Sequence, residues 1–243
     1  MLEVKNLYAG VGERQIVKDV SLSLGAGRAA VLMGRNGSGK STLLGAIMND
    51  PRLEVAGSVE LDGEDLTDKA AVKRAQAGLF LGEQDQASVE GLSRSTLLKH
   101  SANALRRARG QEPLAAPEFF GLAKEYCAML GVPDEWMARE VGGQFSGGEK
   151  KRMTALAMLF FGPKAVLLDE PDSGVDVDSL AFIAKAISHL RGKGAAVLIV
   201  SHYAKLVEQV RPDEALVMQD GEIVERGDAE LARRICERGF DGD

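Results

Sequence analysis

The segment Gly34-Arg35-Asn36-Gly37-Ser38-Gly39-Lys40-Ser41 constrains the fold of this chain more than any other. It fits the spacing G-x-x-x-x-G-K-[ST], with an apolar run, Ala29–Met33, before it and a stretch of helical spacing, Lys40–Met48, after it. A strand, a glycine-rich turn and a helix in that order make an anion cradle. Glycines let successive N–H groups turn inward, and the helix start adds roughly half a positive charge. Lys40 is expected to reach the outer phosphates of a nucleotide, and Ser41 to offer its hydroxyl to magnesium. Thr42 joins residues 34–41 in the expected set of nucleotide contacts.

Downstream, residues 165–168 form an apolar strand that ends in Asp169 and Glu170. Residues 179–190 have helical spacing, and 195–200 form a second apolar strand. Strand, helix and strand in that order imply a parallel pair with a right-handed crossover. Ligands of open α/β sheets bind at the carboxyl ends of the strands, which puts both acids beside the phosphate loop. Asp169 is then a candidate magnesium ligand, through water, and Glu170 is placed to orient or deprotonate an attacking water.

The remaining pattern predicts strands at 2–7, 16–24, 57–61 and 79–81, and a helix at 69–77. Between about 88 and 161 β-branched residues become scarce. Helical spacing over 97–109, 118–130 and 147–161 is punctuated by Pro113, Pro117 and Pro133. A helical lobe, 88–161, is therefore expected to interrupt an α/β lobe formed by 1–87 and 162–243. A hairpin around Asp220-Gly221 and a last helix, Ala229–Arg238, close the chain.

Composition sets bounds on function. A net charge of −6 opposes broad attraction to nucleic acid or anionic lipid. Cys127 and Cys236 lie far apart, which makes a structural zinc site or a cluster held by this chain alone improbable and suits thiols in a reducing cytosol. No start resembling a signal peptide is present, and no apolar run approaches the ~20 residues that span a bilayer. If a membrane is involved, another subunit supplies it.

Ser146-Gly147-Gly148-Glu149 precedes the helical segment through Phe161. Serine followed three residues later by glutamate is a capping box, and it is also a helix start that can receive a phosphate. Both readings stand on the sequence.

With these residues in place the chain resembles the ABC ATPases. Phe145-Ser146-Gly147-Gly148-Glu149 is similar to their signature motif, and Gln84 stands at their Q-loop glutamine. Ser173-Gly174-Val175-Asp176 looks like the D-loop, and Ser201-His202 like the switch histidine. With the phosphate loop and the acidic pair, six motifs follow family order across nearly the whole chain. The resemblance implies an ABC ATPase fold: an α/β P-loop (RecA-like) lobe with a parallel core sheet and an antiparallel β subdomain, plus an inserted helical lobe. It implies ATP hydrolysis, with ATP and magnesium bound between two copies arranged head to tail. Ser146, Gly147 and Gly148 of one copy then face the phosphate loop of the other. Gln84 is expected to hold magnesium and water, and His202 to contact the γ-phosphate.

Residues 145–152, 172–180 and 202–203, with the tail around 221–228 and 237–240, further resemble the ATPase subunit of the SUF iron–sulfur cluster assembly system. That resemblance implies a cytoplasmic ATPase driving a SUF-type scaffold of partner subunits. A nucleotide-binding subunit of a membrane transporter is the second reading, and a regulatory or nucleic-acid-associated ABC protein the third. Two departures mark this chain. Glu83 and Gln86 replace an aromatic and a proline around Gln84, and near Val11 there is no clear counterpart of the aromatic that stacks on adenine. Tyr8 is either a weak substitute for it or a half-buried strand residue.

Overall fold

The computed structural model describes residues 1–82, 89–141 and 145–240. In chain order, β1 (Leu2–Val11) and β2 (Arg14–Leu24) form a hairpin, and β3 (Ala29–Met33) leads through the phosphate loop into α1 (Lys40–Met48). β4 (Glu54–Leu61) and β5 (Glu64–Asp65) follow, then α2 (Ala71–Ala77) and β6 (Leu79–Gly82). The middle of the chain holds β7 (Val89–Ser93), α3 (Arg94–Ala108), α4 (Ala116–Leu130), α5 (Asp134–Ala138), β8 (Glu140–Val141) and α6 (Gly147–Phe161). β9 (Ala165–Asp169), α7 (Val177–Gly192), β10 (Ala196–Val200) and α8 (Ala204–Val210) precede β11 (Glu214–Gln219), β12 (Glu222–Gly227) and α9 (Ala229–Arg238).

Two main sheets result. The core sheet runs β12-β11-β3-β10-β9-β6, parallel throughout except for the antiparallel edge strand β12. The second, β2-β1-β4-β5, is antiparallel. Side-chain alternation explains why β9 and β10 are apolar at every buried position. Val166 and Leu168, with Val197 and Ile199, join the core that contains the middle helices and α7. Ala165 and Leu167, with Ala196, Leu198 and Val200, join the core shared with α1 and the antiparallel sheet. A third cluster seats α9 on β3 and β11 through Leu231, Ala232 and Ile235.

Expected element types agree with the fold, and the differences are local. The 97–109 helix begins earlier, at Arg94, because Ser93 caps it by accepting from the Thr96 N–H at 3.3 Å. Pro117, read as a break, lies inside the first turn of α4, where a missing N–H costs nothing. The 69–77 helix starts at Ala71. The short elements α5, α8, β5, β7 and β8 carry too few residues to show a period, and the sequence did not predict them.

Candidate nucleotide site

The register of the core sheet assembles the site. Val200 at the end of β10 pairs with Leu32 of β3 on one side and Asp169 of β9 on the other. The phosphate loop, the acidic pair and Ser201-His202 therefore leave three adjacent parallel strands at the same carboxyl edge. This is the edge at which open α/β sheets bind ligands.

The loop itself requires its glycines. A Cβ on Gly34 would collide with the Met218 carbonyl and come within 2.8 Å of Ser38 Oγ. Ser38 Oγ is buried and has no hydrogen-bond partner among the described residues, which suits a loop built to meet an acceptor from outside the chain. Lys40 folds back over the loop, donating from Nζ to the Gly34 carbonyl at 2.8 Å and the Arg35 carbonyl at 2.9 Å. Burial lowers its pKa, and the Glu170 and Asp169 carboxylates work against that shift.

Around the loop lies an open cleft of about 460 Å³, lined by Arg14, Ile16, Asn36, Gly37, Gly39, Lys40, Ser41, Thr42 and Glu170. Burial raises the Asp169 pKa, while hydrogen bonding from Ser41 lowers it. Asp169 Oδ1 is buried and has no hydrogen-bond partner among the described residues. A hydroxyl and a carboxylate oxygen, both hard donors, suit magnesium shared with phosphate oxygens. Among the described residues no group of three or more His, Cys, Asp or Glu is placed to hold a metal.

Glu170 has a φ of 43°, a left-handed conformation that is costly for a long side chain. Three backbone contacts enforce it. The Glu170 N–H donates to the Val200 carbonyl at 3.1 Å, while its own carbonyl accepts from Lys151 Nζ at 3.0 Å and from the Ser173 N–H at 3.1 Å. Strain held in place at the mouth of a cleft is characteristic of functional positions.

Other expected site residues are arranged differently. Ser146 is exposed and does not line this cleft. Its capping box is complete: Ser146 Oγ accepts from the Glu149 N–H at 3.3 Å, and Glu149 Oε2 from the Ser146 N–H at 2.7 Å. A Cβ on Gly147 would lie 2.8 Å from the Gly174 carbonyl, so this helix start abuts the 173–176 segment of its own chain. Asp176 caps α7, accepting from the Ser179 N–H at 2.7 Å. A Cβ on Gly148 would lie 2.9 Å from Ser179 Oγ.

His202 is exposed just beyond β10, and its carbonyl accepts from Cys236 Sγ of α9 at 3.5 Å. Burial raises the pKa of neighbouring Asp172, while hydrogen bonding from Ser201 and the charge of His202 lower it. Gln84, with Glu83 and Gln86, lies outside the described residues. Tyr8 is half-buried in β1 opposite Ala56 and does not line the phosphate cleft. Cys127 is buried, which pushes its thiol up to about 11 and leaves it unreactive at neutral pH. Arg14, Ile16 and Lys151 were not anticipated. Their approach to the site depends on how separate elements pack, which no local spacing encodes.

A phosphate loop, paired acids at the next-but-one strand and a capped SGGE helix on an inserted helical segment together define an ATP-binding cassette. The ABC transporter family matches residues 17–173, and the chain belongs to that family of ATPases. Within it the chain is SufC-like: it is 37% identical to the "Probable ATP-dependent transporter SufC" of Escherichia coli, over 99% of this chain and 97% of that one. "Vegetative protein 296" of Bacillus subtilis is 38% identical over 99% of this chain and 92% of its own. A "Probable ABC transporter ATP-binding protein" of Streptococcus pyogenes is 39% identical over 100% and 94%. The fold is similar to that of a dimeric ATP-binding cassette bound to ADP and Pi, with a TM-score of 0.80, 22% identity and coverage of 94% and 99%.

Proposed function

We propose that this ATPase works as the energy-coupling subunit of a SUF-type scaffold in iron–sulfur cluster assembly, in the cytoplasm. The observation that carries the reading is its full-length similarity to SufC. Among the described residues no helix is long and apolar enough to cross a membrane. The transporter reading stays second, favoured by relatives whose names describe transporter ATP-binding proteins.

In this proposal the chain divides into an α/β lobe (1–87 and 162–243) and a helical lobe (88–161). The loop N–H groups of 34–41, with Lys40 and Thr42, bind the phosphates. Ser41 and Asp169 hold magnesium together with Gln84. When bound, the ion would neutralise phosphate charge. Glu170 accepts a proton from the attacking water, and its strained backbone fixes the carboxylate at the cleft mouth. The γ-phosphate contacts of one pocket are then completed by Ser146, Gly147 and Gly148 of a second copy and by His202. That division supports an ATP-dependent head-to-tail homodimer, because Ser146 does not line its own chain's cleft.

Anaerobic affinity purification of the tagged chain from its own cell tests the assignment. Soluble partners carrying an iron–sulfur cluster are the expected result. Recovery of membrane-spanning partners instead would move the protein to the transporter reading.

A further inference from the structure

The cleft has acids on one side of the phosphate loop and a different pair of residues on the other. In the core sheet β3 lies between β10-β9 and β11-β12. Asp169 and Glu170 belong to the β9 side. Ile16 lies on the β11–β12 side: a Cβ on Gly39 would sit 3.5 Å from Ile16 Cγ2, and the Lys18 N–H donates to the Gly221 carbonyl at 2.8 Å. Arg14 stands two residues before Ile16 on β2, and the pairing with β1 shifts register at Ile16. Both line the cleft.

A nucleotide whose phosphates lie over the loop has one orientation compatible with these sides. Hydrolysis requires the terminal phosphate beside the acids, so the base falls towards Ile16 and Arg14. Among the described residues no aromatic side chain lines the cleft there. Arg14 is exposed, and its guanidinium has no hydrogen-bond or ion-pair partner among the described residues. A guanidinium is planar and weakly hydrated, and it stacks on π faces where an ammonium does not.

We propose that Arg14 holds the nucleobase, its guanidinium plane lying over the ring while Ile16 forms an apolar floor. The inference rests on the cleft being the nucleotide site. Stacking reads the face of a base and not its edge, so adenine and guanine nucleotides gain alike from Arg14.

Calorimetric titration of ADP and GDP into the wild-type chain and into Arg14→Ala, Arg14→Lys, Arg14→Tyr and Lys40→Ala variants tests this without turnover. Arg14→Ala is expected to weaken both nucleotides by roughly tenfold, with an unchanged thermal midpoint. Tyrosine, which keeps a stacking plane and loses the charge, restores affinity to within about threefold, and lysine does not. Unchanged ADP affinity in Arg14→Ala, or rescue by lysine and not by tyrosine, overturns the proposal. Wild-type ADP affinity in Lys40→Ala overturns the cleft reading beneath it.

Discussion

Ser146 shows how one side chain serves structure while remaining available to a phosphate. Its hydroxyl already caps α6, so Ser146→Ala costs about 1 kcal/mol of stability through the lost cap. If the same hydroxyl also meets a γ-phosphate across the dimer, ATPase activity falls by far more than that loss explains, in a chain that stays folded. Steady-state turnover beside a thermal melt separates the two, and near-normal turnover assigns Ser146 to the cap alone. Asp169 carries the opposite tension. Burial raises its pKa, so the folded chain binds that proton more tightly than the unfolded chain does. Stability therefore falls as pH rises from the ordinary carboxylate range through the raised value. Asp169→Asn is expected to raise the melting temperature of the nucleotide-free protein at neutral pH while ATP hydrolysis is lost. A lower melting temperature would show that the carboxylate is already well paired.

At the scale of elements, arginines tie helix ends together. Arg74 on α2 is about 1% exposed and donates to the carbonyls of Ala46, Ile47, Thr67 and Lys69, at distances from 2.7 to 3.2 Å. Two of these carbonyls, Ala46 and Ile47, lie in the last turn of α1, the helix that carries Lys40 and Ser41. Arg74→Met leaves buried acceptors unpaired and is expected to cost about 2–4 kcal/mol in chemical denaturation. A loss under about 0.5 kcal/mol would mean that water replaces the guanidinium. Arg109 performs a similar task between α3 and the ends of α2 and α6, donating to the carbonyls of Ala75, Gln76, Phe161 and Gly162.

Such ties mark the limit of what the sequence discloses. The phosphate loop, the 165–170 strand and the helix at Gly147–Phe161 were legible because each has a local period or spacing that the backbone must obey. For Arg74 and Arg109, nothing in the neighbouring sequence reveals which distant carbonyls need a donor. The side chains of Arg14 and Ile16 were invisible for the same reason: only the packing of the β1–β2 hairpin beside the phosphate loop brings them to the cleft.

For the whole molecule, the account depends on two copies meeting. The phosphate loop and Glu170 share one cleft, whereas the exposed Ser146 at the start of α6 does not line it. Sedimentation analysis of Glu170→Gln protein with its purified partners and Mg·ATP tests this directly, since that variant is expected to hydrolyse ATP ~10²–10⁴-fold more slowly and so to retain it. The predicted result is two copies of the chain per complex with ATP, reduced to one by Ser146→Arg. A single copy per complex at saturating ATP would contradict the account.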